Sequence, residues 1–287
     1  MRLAVIVPSL GRPQIVGQLM ADLARQTRRP DLVLVPVVSR EDGPARTPEE
    51  LAIEVILSPK GACAQRNRGL DRGLADIDVV TFFDDDFVPA PDYLENLVAL
   101  FAANPSLAGA TGVVLADGAT SAGVEHREAQ RIIASHARGA PTTKPVHCLY
   151  GCNMSYRARF IRDMRFDERL PLYGWLEDVD FSTRAGRKGD LVWSDRLVGV
   201  HLGVKAGKTS GVRFGYSQIV NPIYLFQKGT IPFGQTAANI MRNFAANHAR
   251  ALAPEPYVDR RGRVKGNWLA IGDLMRGRAA PERILDF

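Results

Sequence analysis

Val79-Val80-Thr81-Phe82-Phe83-Asp84-Asp85-Asp86 decides how the rest of the chain is read. Two Val, one Thr and two Phe in a row are built for a strand buried on both faces, as in a parallel sheet. The three acids then sit at its carboxyl end, the edge where ligands bind in open α/β sheets. Three clustered carboxylates repel one another unless a cation or a set of donors offsets them. A hard divalent ion, Mg²⁺ or Mn²⁺, is the simplest offset, because it takes carboxylate oxygens and leaves positions for water and phosphate. A solvated acidic turn ahead of a helix opened by Pro91-Asp92 explains the same residues without a ligand, since both types suit a first helical turn.

Outward from that stretch, 287 residues with 46% hydrophobic content suffice for a large core and exclude a disordered chain. The net charge of +6 comes from 37 basic and 31 acidic residues spread through the sequence. That balance favours anionic partners such as phosphates or an acidic membrane face. Cys63, Cys148 and Cys152 are an odd number in a long chain, which argues against a disulfide framework and for a reducing compartment. Cys148 and Cys152 with His147 fit no common zinc spacing, so neutral buried thiols are expected. The apolar start, Leu3 to Val7, stops at Pro8, too short for a signal peptide's core, and no stretch reaches the ~18 apolar residues of a membrane span. A cytoplasmic protein is expected, at most peripheral on a membrane.

In chain order, Leu3 to Val7 reads as a first strand, Pro8 to Pro13 as its loop, and Ile15, Leu19, Met20 and Leu23 as a helical stripe. The loop lacks both the Gly-x-Gly-x-x-Gly and the P-loop patterns. Strands follow at Leu32 to Val38 and Ile53 to Leu57. Lys60-Gly61-Ala62-Cys63-Ala64-Gln65-Arg66-Asn67-Arg68-Gly69 is a glycine-opened helix whose small residues let it lie close to the sheet, with Lys60, Arg66 and Arg68 near the phosphate-binding edge. After the opening strand come an amphipathic helix on Leu94, Leu97, Val98 and Phe101 and a strand from Ala108 to Leu115. Strands alternating with helices predict a mostly parallel sheet covered on both faces.

Between Asp117 and Thr143 only Glu125 to Ala137 suggests a helix; Leu149 to Tyr156 then reads as a short strand broken at Gly151. A second acidic cluster lies in Trp175-Leu176-Glu177-Asp178-Val179-Asp180-Phe181, where Trp175, Leu176, Val179 and Ala185 fit a helix with the acids in its first turn. Acids there complement the helix dipole. Three of them between aromatic walls exceed what a cap requires, and a partly desolvated carboxylate has the raised pKa of a general base. Glu177, Asp178 and Asp180 are equal candidates on this reasoning. Leu191 to Trp193 and Leu197 to Val200 look like further strands, and His201 closes the second. Gly203 to Gly211 is glycine-rich and basic and suits a lid over phosphates. From Arg213 on the chain reads helical, with breaks expected at Pro222 and Pro232.

Taken together, these pieces resemble the family 2 glycosyltransferases of the GT-A fold over nearly the whole chain. The carrying motifs are Val7-Pro8-Ser9-Leu10-Gly11-Arg12, Ala64-Gln65-Arg66-Asn67-Arg68-Gly69, the Asp-x-Asp of Asp84-Asp85-Asp86, Gly151-Cys152-Asn153-Met154, and Glu177-Asp178. Gly266 to Leu274 and Pro281 to Ile284 are similar to the ends of bacterial members that build exopolysaccharides. The resemblance implies a GT-A sheet domain over 1–212 and a helical C-terminal extension over 213–287. It also implies roles: Pro8, Ser9, Arg12, Arg66, Asp84 and Asp85 around the nucleotide, Asp86 on Mn²⁺ or Mg²⁺ with His201 as a late metal or phosphate contact, Asn153 and Trp175 at the sugar pocket, and Asp178 as base with Glu177 beside it. Members often carry an acid after the second strand that contacts the base; Val37-Val38-Ser39 has none, which leaves Glu41 or Asp42 as substitutes.

The expected activity is inverting transfer from a nucleotide-diphospho-sugar, a UDP-sugar favoured, to a glycan or lipid-diphosphate-linked acceptor, with no nucleic-acid partner. The alternatives are a catalytically silent protein of the same fold that binds glycans or assembly partners, and a nucleotidyltransferase, for which the first loop is too poor in glycine. An aspartyl phosphohydrolase is disfavoured by Phe87 after the acids.

Overall fold

The computed structural model describes residues 1–72, 75–205 and 210–287. Its elements run β1 (Leu3–Ile6), α1 (Pro13–Ala24), β2 (Leu32–Val37), β3 (Ile53–Leu57), α2 (Ala62–Arg72), β4 (Val79–Phe83), β5 (Phe87–Pro89), α3 (Tyr93–Ala103), β6 (Leu107–Asp117), α4 (His126–Ser135), β7 (Thr143–Pro145), β8 (Asn153–Arg157), α5 (Ala158–Ile161), α6 (Glu177–Gly186), β9 (Asp190–His201), α7 (Gly211–Gln227), α8 (Phe233–Arg250) and α9 (Arg260–Met275). One sheet has the order β3-β2-β1-β4-β8-β6-β9-β5, with β7 also on β9. β1, β2, β3, β4, β6 and β9 run the same way, while β8, β5 and β7 pair antiparallel. The expected mostly parallel sheet is therefore present, with antiparallel strands on one side of β4.

β4 is buried along its whole length. Its alternation supplies both layers of the core: Val80 and Phe82 pack with Ile6, Tyr156 and Phe181 on one face, Val79 and Phe83 with Val5, Leu97 and Phe101 on the other. Each such side chain contributes roughly 1.5–3 kcal/mol on full burial. Gly69 lets α2 approach the sheet as expected, since a Cβ there would come within 2.6 Å of Ile6.

Four local expectations are corrected. Leu191 to Trp193 and Leu197 to Val200 are one strand, β9, with a register shift opposite Gly112 and Val113 that absorbs the polar residues between. The strand expected from Leu149 begins only at Asn153, because Gly151 and Cys152 form a turn. Trp175 and Leu176 precede α6 rather than belonging to it. Pro222 lies inside α7 without ending it, whereas Pro232 does mark the start of α8.

The C-terminal helices are joined to the sheet layer and to one another. Leu225 and Ile231 belong to the same core cluster as Phe82. Buried amides link the three helices: Asn247 donates to Gln218 at 2.8 Å and to Asn267 at 3.1 Å, and Asn267 donates to the Gly215 carbonyl at 2.7 Å. Satisfied buried networks of this kind fix a unique packing. No helix among the described residues is long and apolar enough to cross a membrane.

Candidate active site

The carboxyl ends of β1 and β4 lie side by side, and in the strand order the chain goes on to β2 on one flank of this pair and to β6 on the other, the switch point where α/β folds bind ligands. Ser9 and Arg12 follow β1; the three aspartates follow β4. Gln65 of α2 holds the first loop in place by donating to the carbonyls of Ser9, at 2.8 Å, and Pro36, at 2.9 Å. Ser9 donates its hydroxyl to Asp85 at 2.8 Å, and the Arg12 guanidinium donates to Asp85 at 3.0 Å and Asp86 at 3.4 Å. Arg12 is thus an internal partner of the acids and not a solvated arginine. A cleft of about 900 Å³ opens above, lined by Pro8, Ser9, Arg12, Asp84, Asp85 and Asp86 on this side.

The three aspartates have different surroundings. Burial pushes Asp85 up to about 7 despite Arg12 beside it. Burial acts the same way on Asp86, but the hydrogen bond and charge of His201 and the Val204 N–H, which donates at 2.8 Å, hold it below the ordinary range. The His201 Nε2 lies 3.2 Å from Asp86 and 3.9 Å from Asp84, and its Nδ1 lies 2.9 Å from Asp117. Burial opposes the imidazolium, yet these carboxylates raise His201 to about 10. Asp117 also accepts from the Tyr150 hydroxyl at 2.6 Å and is brought down to about 2 against its partial burial.

Asp84, Asp86 and His201 offer ligand atoms that all lie within 4.8 Å of one another. Two carboxylate oxygens suit a hard divalent ion, and of Mg²⁺ and Mn²⁺ the latter more readily takes an imidazole nitrogen as well. Asp117 on the far ring nitrogen is the carboxylate–histidine pairing that orients a metal-binding His. The residues therefore fit the ion expected from sequence, with Asp84 added to Asp86 and His201, and with Asp117 and Tyr150 as partners that sequence reasoning missed. An ion and the imidazole proton compete for Nε2.

The second acidic cluster forms the opposite wall. Leu172, Gly174 and Leu176 all take positive φ, and the Leu172 carbonyl accepts from the Ala62 N–H at 2.8 Å, so a strained loop pinned to α2 delivers the first turn of α6. The structure separates the three acids. Asp180 is buried away from the cleft between Arg184, at 2.8 Å, and Lys228, at 2.9 Å. Glu177 is buried against Arg66 at 2.5 Å, and burial and the neighbouring Asp178 push it up to about 8. Asp178 lines the cleft and accepts from the backbone N–H groups of Gly151, at 3.1 Å, and Val179, at 2.8 Å. Burial raises it, and those N–H groups only partly offset the rise. A Cβ on Gly151 would come 3.3 Å from that carboxylate.

Arg66 connects the walls: besides Glu177 it donates to Asp84 at 3.0 Å. It is buried on the cleft floor, an internal strut between the two clusters. Trp175 lines the cleft, and its carbonyl accepts from Asn221 of α7 at 2.8 Å. Asn153 is brought elsewhere: fully buried under the floor, its side-chain carbonyl accepts from Thr111 at 2.6 Å. Asp42 gives one carboxylate oxygen to the Gly11 N–H and the other to the Ser39 N–H, and neither it nor Glu41 borders the cleft. Gly203, with φ of +66° and its α-carbon packed on Gly118, turns the chain after β9 so that Val204 and Lys205 face the cleft. Of the rest of the glycine-rich stretch expected to form a lid, Ser210 and Gly211 cap and open α7 at the cleft, and residues 206–209 lie outside the described residues.

The C-terminal helices supply the remaining wall, which no motif announced. The Phe214 ring packs at a tilt beside Tyr173, at 5.7 Å, and Trp175, at 6.1 Å, while the Arg263 guanidinium sits 4.5 Å over its ring. Burial and the nearby Arg260 bring Arg263 down to about 10, and among the described residues its side chain has no carboxylate at ion-pair distance. Cys63, Cys148 and Cys152 are free, and burial pushes each thiol up, as neutral thiols require.

The model of Glycosyl transferase family 2 matches residues 4–165, more than half of the chain. No curated protein matches the sequence. Among solved structures, TarS of S. aureus superposes with a TM-score of 0.57 at 17% identity, covering 99% of this chain and 50% of that one, so this chain spans half the length of that protein. A shorter form, TarS 1-349 in complex with UDP-GlcNAc, gives 0.54 at 17% identity, covering 99% and 83%. A mannosyltransferase of Pyrobaculum calidifontis in complex with GDP-Man and Mn²⁺ gives 0.57 at 16% identity, covering 96% and 86%. At these identities the likeness is one of fold.

Proposed function

The chain belongs to glycosyl transferase family 2, and from that premise we propose that it is an inverting, metal-dependent enzyme that moves a sugar from a nucleotide-diphospho-sugar to a hydroxyl of a glycan or lipid-linked acceptor in polysaccharide assembly. A UDP-sugar is the favoured donor, residues 1–212 form the catalytic unit, and residues 213–287 complete the acceptor side. The observation that carries the reading is that Asp84, Asp86 and His201 line one wall of the cleft that Asp178 lines from the other.

Pro8, Ser9 and Arg12 border the nucleotide, and Lys205 adds positive charge near the diphosphate. Asp84, Asp86 and His201 would hold Mn²⁺ or Mg²⁺, which when bound neutralises charge on the leaving diphosphate as a Lewis acid. Asp178 accepts the acceptor's hydroxyl proton as that oxygen bonds to the anomeric carbon; the bond from that carbon to the diphosphate breaks and its electron pair leaves with the nucleotide. Because the base stands across the cleft from the leaving group, the configuration inverts. A carboxylate raised by burial is the stronger base. Glu177, held by Arg66, positions its neighbour, and Trp175 lines the sugar pocket, with Asn153 supporting the floor from beneath. Arg263 and Phe214 face the acceptor.

Two variants test this together. Asp178→Asn keeps nucleotide binding and loses transfer by about 10²–10⁴-fold, the usual size of a general-base contribution. Asp86→Ala loses metal-dependent nucleotide binding. Full transfer activity in Asp178→Asn would remove the assigned base.

A further inference from the structure

Basic residues occur throughout the sequence, but their excess does not. Residues 213–287 hold 11 Lys and Arg against 5 Asp and Glu, whereas residues 1–212 hold 26 of each, so the net charge of +6 belongs to the C-terminal helices alone. From Arg196 to Pro254 there is no acidic residue at all.

The outer face of α9 places Arg261, Lys265 and Arg276 beside exposed apolar groups. Its buried positions, Arg260, Gly266, Asn267, Ala270 and Asp273, face the body of the protein. The positions on the other side are Arg261, Lys265, Trp268, Leu269 and Met275, with Arg276 at the C-cap. With 100° per residue these share one side of the helix, and none is acidic. Trp268 is 57% exposed and Met275 79% exposed. On α8, Met241 is 70% exposed and is followed by Arg242, and Trp268 touches this helix through Phe244 and His248. A soluble surface ordinarily puts charged groups of both signs here; this face puts cations and large apolar side chains.

We propose that the outer face of α9, with the adjoining turn of α8 around Met241, docks on the surface of an anionic lipid bilayer. The occupant follows from the chemistry. A second copy of the chain would bring the same positive face and repel it. A nucleic acid would pair with the cations but leave Trp268, Leu269 and Met275 without an apolar partner. A bilayer interface serves both, because phosphate headgroups meet the Lys and Arg while Trp, Leu and Met enter the boundary between headgroups and acyl chains. The docking face and the cleft are on the same helix, since Arg263 of α9 lines the cleft. Arg263 leaves α9 on the side opposite the docking face, so docking sets the cleft about one helix diameter, ~10 Å, from the bilayer surface.

The test needs no transfer activity. The full chain is sedimented with vesicles of phosphatidylcholine alone and with vesicles containing 30 mol% phosphatidylglycerol, at low and high salt. Binding only to the anionic vesicles, reduced by high salt, is expected. Each Lys or Arg near such a surface contributes about 1 kcal/mol, so Lys265→Gln with Arg276→Gln should weaken binding at least tenfold. Trp268→Ser should weaken binding and leave its salt dependence intact, and the wild-type tryptophan emission should shift to the blue on binding. Unchanged melting temperature and unchanged nucleotide titration show that the variants fold. Equal sedimentation with both vesicle types, no sedimentation at low salt, retention by an oligonucleotide in preference to vesicles, or a salt-independent dimer in solution would each overturn the proposal.

Discussion

The two acidic clusters face each other across one cleft and are stabilised in opposite ways. Asp85 and Asp86 are met by cations and donors: Arg12, Ser9, His201 and the Val204 N–H. Glu177 accepts from the Arg66 guanidinium, which Asp84 shares, Asp178 accepts from two backbone N–H groups, and burial raises both acids. The contrast teaches that a run of carboxylates is not one kind of site. In the first cluster Asp86 is held negative beside His201 while burial raises Asp85; in the second, burial raises both acids and keeps a proton within reach. Pushing individual acids apart by environment, Asp86 down and Asp178 up, is how one site divides an electrostatic role from a base.

Arg66 is where the contrast is most easily broken, because it is the strut common to both sides. Removing one partner of a buried ion pair leaves uncompensated charge and typically costs about 3–5 kcal/mol. Arg66→Gln should lower the denaturation midpoint accordingly, and Glu177→Gln in the same chain should restore part of the loss. An unaltered midpoint would mean that the two clusters are not joined through this residue. Asp117 sharpens the donor side alone. Loss of an outer partner of a metal-binding His usually costs 10–100-fold in metal affinity, so Asp117→Asn should weaken Mn²⁺ binding by that order, measured by calorimetry, with no change in folding.

A third effect concerns proton linkage at Glu177. Its folded pKa, about 8, lies above the ordinary 4.5. Between those values the folded state binds more protons than the unfolded state, so this group makes stability fall as pH rises from about 5 to 8. Glu177→Gln should flatten that slope in thermal melts taken across the range. A slope that stays the same would place the raised group elsewhere.

Much of this architecture was legible in the sequence because β4, buried on both faces, has an unbroken apolar run that ends directly in acids. The glycine and alanine positions of α2 likewise reported a close approach to the sheet. Other features were not legible for physical reasons. β5 and β7 are three residues each, too short for any periodicity. Asp117 ends a strand whose second half is only half-buried, and nothing in its neighbours shows that it will meet His201 84 residues later. Asp178 could not be separated from Asp180 by pattern: two apart in one turn they point to different faces, and only the contacts of Asp180 with Arg184 and Lys228 show which of them leaves the cleft. Phe214 and Arg263 lie in helical stripes whose spacing reports a face without saying what it faces. Asn153 matched a motif and yet lies beneath the floor, because the turn at Gly151 and Cys152 delays the strand and buries its first residue.

The central claim, that one cluster holds donor and metal and the other takes the proton, is tested most directly by calorimetric titration of UDP and GDP into the wild type, Asp86→Ala and Asp178→Asn, each with and without Mn²⁺. The account predicts that one nucleotide binds the wild type and Asp178→Asn equally and in a Mn²⁺-dependent way, and that Asp86→Ala loses the Mn²⁺ dependence. Equal loss in both variants, or binding of neither nucleotide to the wild type, would contradict it.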